Sequence, residues 1–321
     1  MPLNRRGLLA ATAACLALPA ARAQKFPERP IRMIVPFFAG GNTDLVARTT
    51  GDGLTRALGQ PVIIDNKPGA GGLLALNELV RARADGHTIA LGTPSTQIIT
   101  TLVSKEAKID AIKETQPVGM LCGVPLVLVV YAGLPVKTVA ELVDYARANP
   151  GKLSFASDGI GTSTHLAMEM FCQSTGVKMV HVPYKASYAA DMSNGLVHLA
   201  ISGARSQIAL AETGKIRILA AASAQRLPFL PQTPTIAEAA NLPDFDASSW
   251  YALFLPVGAP PEVVAALAAA TQATTAHPEF VSRITGGGFL SQTGGPAEVA
   301  AVMARDRKKW GAVVDTLGLK V

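Results

Sequence analysis

The stretch that decides the reading is Leu153-Ser154-Phe155-Ala156-Ser157-Asp158-Gly159-Ile160-Gly161-Thr162-Ser163-Thr164-His165. Residues 153–156 read as a short buried strand and 163–175 as a helix. Between them two glycines let the backbone bend tightly and expose amides, while Thr162, Ser163 and Thr164 supply hydroxyls and the helix cap. The positive end of the helix suits a carboxylate or a phosphate. An ordinary strand-to-helix turn with a good N-cap fits the same residues, so spacing alone leaves both readings open. Ala39-Gly40-Gly41-Asn42-Thr43-Asp44 has the same build of strand, glycines, polar cap and helix. Two such loops in one chain favour a shared ligand. With no compensating cation in view, Asp44 would repel an anion, so it reads as a buried orienting group with an indirect role.

Outward from these loops the pattern alternates. Residues 31–37, 61–65, 88–92, 126–131, 179–182, 196–202 and 216–222 read as strands. Helical patterns run from 42 to 58, 73 to 84, 139 to 149 and 204 to 214, with long helices at 261–276 and 297–317. Leu126-Val127-Leu128-Val129-Val130-Tyr131 lacks polar alternation, so it is expected to be buried on both faces. Thr138 is expected to cap its helix, with Glu141 completing a capping box. This alternation predicts an α/β protein with largely parallel sheets. No linker separates two beads, so a chain that crosses between two domains twice fits best.

The composition agrees. The chain has 321 residues, 49% hydrophobic and 16% charged, a length that suits about two domains and a content that excludes general disorder. Arg5 and Arg6, the apolar run 7–20 and Ala21-Arg22-Ala23 have the three parts of a secretory signal over 1–23. The arginine pair is also compatible with twin-arginine export. Without that leader 26 Lys+Arg face 23 Asp+Glu, a net charge of +3, too small for nucleic-acid binding and compatible with an anionic small ligand. Cys122 and Cys172 sit in apolar runs and read as buried free thiols.

Catalytic motifs do not assemble. The chain lacks G-x-G-x-x-G and the P-loop, and Gly161-Thr162-Ser163-Thr164-His165 has His165 where a nucleophile elbow needs its second glycine. Ser163 with His181 and an acid would make a secreted α/β serine hydrolase, the rival reading, but five scattered histidines offer no triad order. His165 reads as a hydrogen bonder within its helix. Metal-ligand spacings are missing, and no cofactor is expected. Lys185 reads either as a cation near a ligand or as a solvated loop lysine, and Trp250 and Tyr251 either as cleft lining or as core.

An ordered set of short motifs then brings the chain close to a known family. Residues 29–37, Gly40 to Asp44, Leu58-Gly59-Gln60-Pro61-Val62 and Asn66-Lys67-Pro68-Gly69-Ala70-Gly71-Gly72 begin it. Asp85-Gly86-His87-Thr88, Pro150-Gly151-Lys152-Leu153, Gly159 to His165, His181-Val182-Pro183-Tyr184-Lys185 and Ser249-Trp250 complete it. Over nearly the whole mature chain the sequence resembles the periplasmic solute-binding receptors of tripartite tricarboxylate transporters, the Bug or TctC-like family. The resemblance implies a two-lobed, type II-like binding protein of α/β class that closes on a small carboxylate solute without transforming it. It implies delivery to a membrane permease, or to a signalling partner in the sensor alternative, by a monomeric protein in the periplasm. Lobe one is expected over 24–125 plus 251–321 and lobe two over 126–250. Carried over by position, the ligand set is Ala39, Gly40, Asn42, Asp44, Thr93, Ser95, Gly159, Gly161, Thr162, Ser163 and Tyr184. The expected binding mode uses convergent amides from two helix starts rather than an arginine clamp. The chain departs from the family pattern at Gln97-Ile98-Ile99-Thr100, Ala186, His198 and Ser202.

Overall fold

The computed structural model describes residues 26–105 and 107–319; the expected leader over 1–23 lies outside the described residues. In chain order the strands are β1 (Ile31–Val35), β2 (Val62–Asn66), β3 (Thr88–Gly92), β4 (Thr115–Val124), β5 (Leu126–Tyr131) and β6 (Ser154–Ser157). They continue as β7 (Val180–Pro183), β8 (Leu199–Gly203), β9 (Ile216–Ala221), β10 (Ser249–Pro256) and β11 (Leu290–Ser291). Two sheets result, ordered β11-β4-β10-β3-β1-β2 and β7-β6-β8-β5-β9. The chain passes from the first to the second at Pro125, between β4 and β5, and returns with β10.

Both sheets are mixed, which corrects the expectation of largely parallel pairing. β1 pairs in parallel with β2 and β3, and β6 with β7 and β8. β10 runs antiparallel to β3 and β4, and β5 antiparallel to β8 and β9. An all-apolar run reports that both faces of a strand are covered, not which way its neighbours run. In β5, Leu126, Leu128 and Val130 enter the main apolar cluster, while Val127 and Val129 enter a smaller one with Tyr188, Met192 and Leu227. Each such buried Leu or Val is worth about 1.5–3 kcal/mol, so this strand anchors its sheet from both sides.

β4 was hidden by Pro117, Gly119 and Gly123, residues that weaken a strand pattern. Its pairing with β10 absorbs them through register shifts between Tyr251 and Ala252 and between Leu253 and Phe254, the second beside Pro117. The helix expected to reach 84 stops at Val80, and a helix over Pro278–Gly286 occupies part of the expected glycine-rich connection. The next helix runs over Pro296–Leu317. Thr138 caps the helix Val139–Ala148 as expected, but Glu141 Oε2 accepts from the amide of Lys137, one residue before the cap, at 2.6 Å. Cys122 and Cys172 are buried and free.

Candidate functional site

A cavity of about 260 Å³ opens between the two sheets. This falls below the roughly 300–1,000 Å³ of drug-sized ligand sites, so it admits a small solute. From the first sheet it is lined by Gly40 to Thr43 after β1, by Thr93 and Ser95 after β3, and by Ser249 and Tyr251 on β10. From the second sheet come Asp158 and Thr162 to Thr164 after β6, Tyr188, and Ser202, Gly203 and Arg205 to Gln207 at the end of β8. Ligand sites of open α/β sheets lie outside the carboxyl ends of strands, and β1, β3, β6 and β8 all deliver their loops here.

The first loop is held by Asp44. Its Oδ2 accepts from the Gly40 amide and from Arg48 Nε, both at 2.9 Å. Burial pushes the Asp44 carboxyl up, but the bonds from Arg48, Gly40 and Asn66, with the Arg48 charge, outweigh it and hold the acid below its ordinary range. The sequence reading missed Arg48 as compensating cation, although it stands one helical turn on. Asp44 does not line the cavity; it fixes the loop that does. The helix Asn42–Leu58 starts at Gly41 with no side-chain cap, so Asn42 and Thr43 bring an uncapped helix start to the cavity wall.

The second loop is more occupied than the sequence suggested. The Gly159 amide donates to Ser157 Oγ at 3.2 Å, the Gly161 amide to His165 Nδ1 at 3.2 Å, and the Ser163 amide to Ser95 Oγ at 2.9 Å. Thr162 caps the helix Ser163–Thr175 by accepting from the His165 amide. The glycine amides are therefore used within the loop, and so is the Thr162 hydroxyl, which also donates to Gly159 O at 2.8 Å. Ser95 sits in a π-helical turn, Ser95–Ile99, and its bond to Ser163 joins the two sides directly.

Of the expected ligand set, Gly40, Asn42, Thr93, Ser95, Thr162 and Ser163 come together on the cavity wall. Ala39, Asp44, Gly159, Gly161 and Tyr184 do not line it. Gly159 and Gly161 shape the loop behind the hydroxyls, both at positive φ. Tyr184 turns away to donate to Asp191 Oδ2 at 2.8 Å, and burial followed by the Asp191 carboxylate pushes its phenol up to about 12. Tyr188, four residues on, takes the cavity position. Lys185 is exposed and lies off the cavity, Trp250 is core, and Tyr251 serves both as core and as lining. Among the departures, Ser202 faces the cavity, whereas Gln97 accepts from Thr115 in the core and His198 accepts from the Ser154 amide.

Sequence reasoning missed Asp158, Tyr188, Gln207 and Arg205 as lining residues. Asp158 lay inside the decisive motif without an assigned role, and the other three belong to no motif. Asp158 is surrounded by protein yet open to the cleft; burial pushes its carboxyl up and the hydroxyl of Thr164, 3.3 Å from Oδ2, pulls it down, with burial prevailing. Arg205 also stands on the lining, in no expected motif.

Behind the loop, three rings stack. His165 and His181 lie 3.8 Å apart between centroids, and Phe155 stacks on His181 at 4.9 Å. His181 Nε2 lies 2.6 Å from Ser157 Oγ, and burial, then the neighbouring His165, lowers its pKa to about 4. Both histidines are thus committed to the loop's scaffold. Among the described residues Ser163 Oγ contacts Ser95 Oγ at 3.4 Å and has no bond to a histidine, so the Ser163–His181 relay weighed above is not assembled.

Comparison with known proteins follows the same lines. The profile of the tripartite tricarboxylate transporter family receptor, TctC, matches residues 46–319. Protein BugT of Bordetella pertussis is 32% identical over 318 residues, 98% of this chain and 97% of the relative. A solved structure described as R. palustris Rpa4515 with adipate is 33% identical, with a TM-score of 0.86 over 92% of this chain and 99% of the other. MatC from Rhodopseudomonas palustris, with bound malate, is 29% identical, with a TM-score of 0.83 over 90% of this chain and 100% of the other. The mixed two-sheet α/β architecture is that of a two-lobed binding protein, and the chain belongs to the tripartite tricarboxylate transporter receptor family.

Proposed function

We propose that this protein captures a small carboxylate solute in the cleft between its sheets and presents it, chemically unchanged, to the membrane permease of a tripartite transporter. In this reading it works as a monomer in the periplasm, exported by the leader over 1–23. The chain up to β4 with the chain from β10 onward forms one moving lobe, and the part between them, from 126, the other. The observation that carries it is the polar lining: an uncapped helix start at Gly41 shares one cavity with Ser95 and Ser163 from the other loops. Such groups satisfy carboxylate oxygens with little desolvation penalty, and their bonds strengthen as closure excludes water. Gly40, Asn42, Thr93, Ser95, Thr162 and Ser163 contact the solute; Ala39, Asp44, Gly159, Gly161 and Tyr184 hold those residues in place.

The adipate and malate bound in the related structures support a carboxylate as the ligand class. A thermal-shift screen of the mature chain against aliphatic and aromatic carboxylates tests the reading. A ligand at a hundred times its Kd stabilises the fold by about 2.7 kcal/mol, a shift of a few degrees in Tm. Absence of any shifted carboxylate, or consumption of a hit by the purified protein, overturns the proposal.

A further inference from the structure

Arg205 is the second residue of the helix Ala204–Ala211, at the end of β8. It lines the cavity and is half-buried, and among the described residues its side chain has no ion pair and no hydrogen bond. Other arginines near carboxylates in this chain are paired: Arg32 with Asp65 and Glu78, Arg48 with Asp44, Arg226 with Glu238, Arg283 with Asp52. The position of Arg205 is fixed from both sides. The Ala204 amide donates to Pro125 O at 2.9 Å, and Gly288 packs so closely that a Cβ there would stand 3.3 Å from the Arg205 Cα and Cβ. The stem of Arg205 is thereby held at the seam where the two sheets meet.

Asp158 is the other formally charged residue on the cavity wall, and it forms no ion pair with Arg205. It accepts from Thr164 instead. Two residues past Arg205, Gln207 is only 4% exposed, and its Oε1 has no partner among the described residues, although it lines the cavity. The Ala204–Ala211 helix thus brings an uncompensated cation to the cavity wall. A partly desolvated guanidinium without an anion is costly, and a carboxylate restores its bonds in a planar, two-point geometry.

We propose that Arg205 is the specificity-determining residue of the cleft: its guanidinium pairs with a second acidic group of the solute, so this chain selects dianions over monoanions of equal length. The proposal rests on the carboxylate-receptor reading above. One acidic group meets Ser95, Ser163 and the helix start at Gly41; the other reaches Arg205.

Calorimetry with four- to six-carbon dicarboxylates and their monomethyl esters tests it, because each half-ester keeps the chain length and removes one charge. The wild-type chain is expected to prefer the diacid. Arg205→Ala should weaken the diacid on the order of tenfold to a hundredfold. It should also bring the ratio of diacid to half-ester affinity close to one, and Arg205→Lys should recover part of that ratio. An unchanged ratio in Arg205→Ala, or an equal fall for both ligands, overturns the assignment, the latter pointing to a packing role. The Tm of each unliganded variant shows that the fold is kept. A wild-type protein that binds dicarboxylates without preferring them refutes the role of Arg205 alone, while one that binds neither ligand removes the receptor reading as well.

Discussion

Asp158 places a carboxyl group where an anionic solute is proposed to sit, and its raised pKa eases the conflict. Surrounding protein raises its pKa above the ordinary carboxylate value, and a bound anion raises it further. The sign follows: binding takes up protons at this residue, so affinity falls as pH rises through its titration, provided the solute's own acids stay ionised. Calorimetry between about pH 4.5 and 8, in two buffers of different ionisation heat, should show that uptake. Asp158→Asn should flatten the pH profile, and a slope retained by that variant excludes the residue as its source. At this scale the sequence was partly legible. The hydroxyls of Thr162 and Ser163 and the orienting role of Asp44 followed from local chemistry. Arg48 and Arg205 did not, because what pairs with a side chain depends on folding partners that spacing does not name.

The loop after β6 shows how one element carries a contact across the cleft. Gly161 has φ +73°, and a Cβ there would stand 2.5 Å from Val103 Cγ2 on the opposite side. Thr100 Oγ1 donates to Gly161 O at 3.4 Å in the same seam. A valine at this position meets both a left-handed backbone penalty of roughly 1–2 kcal/mol and a side chain that must yield. Gly161→Val is therefore expected to lower solute affinity at least tenfold, with far-ultraviolet circular dichroism unchanged. Calorimetric affinity equal to the wild type's would show that the seam tolerates the residue. Gly203 has a related constraint: an added Cβ would lie 2.3 Å from Asn42 Nδ2 across the cleft. Long uninterrupted apolar or helix-forming runs, such as β5 and the helix Pro261–Ala276, were legible in full. β4 was not, since its Pro and Gly are compensated by bulged pairing with β10, a strand more than a hundred residues away.

Across the whole molecule, contacts that join the sides at the cleft include Ser95 with Ser163, Thr100 with Gly161, Asn42 against Gly203, and Gly288 against Arg205. Beneath these contacts one apolar cluster takes in residues of both sheets, Ile34 and Leu253 with Leu128 and Phe155. X-ray scattering of the mature chain is expected to give a smaller radius of gyration with saturating solute than without it. Identical curves would mean that the lobes do not move as separate bodies. Two-sheet organisation was legible from strand–helix alternation and from the absence of a linker, but strand direction was not, because burial on both faces is compatible with either sense.

One buried hydrogen bond gives this architecture an optical reporter. The chain has two tryptophans. Trp250, 3% exposed, donates from Nε1 to Asp306 Oδ2 at 2.8 Å, and its neighbours Ser249 and Tyr251 both line the cavity. Trp310 lies at 0% exposure on the same long helix as Asp306. Intrinsic fluorescence can therefore follow solute capture in real time, without a dye or an engineered label.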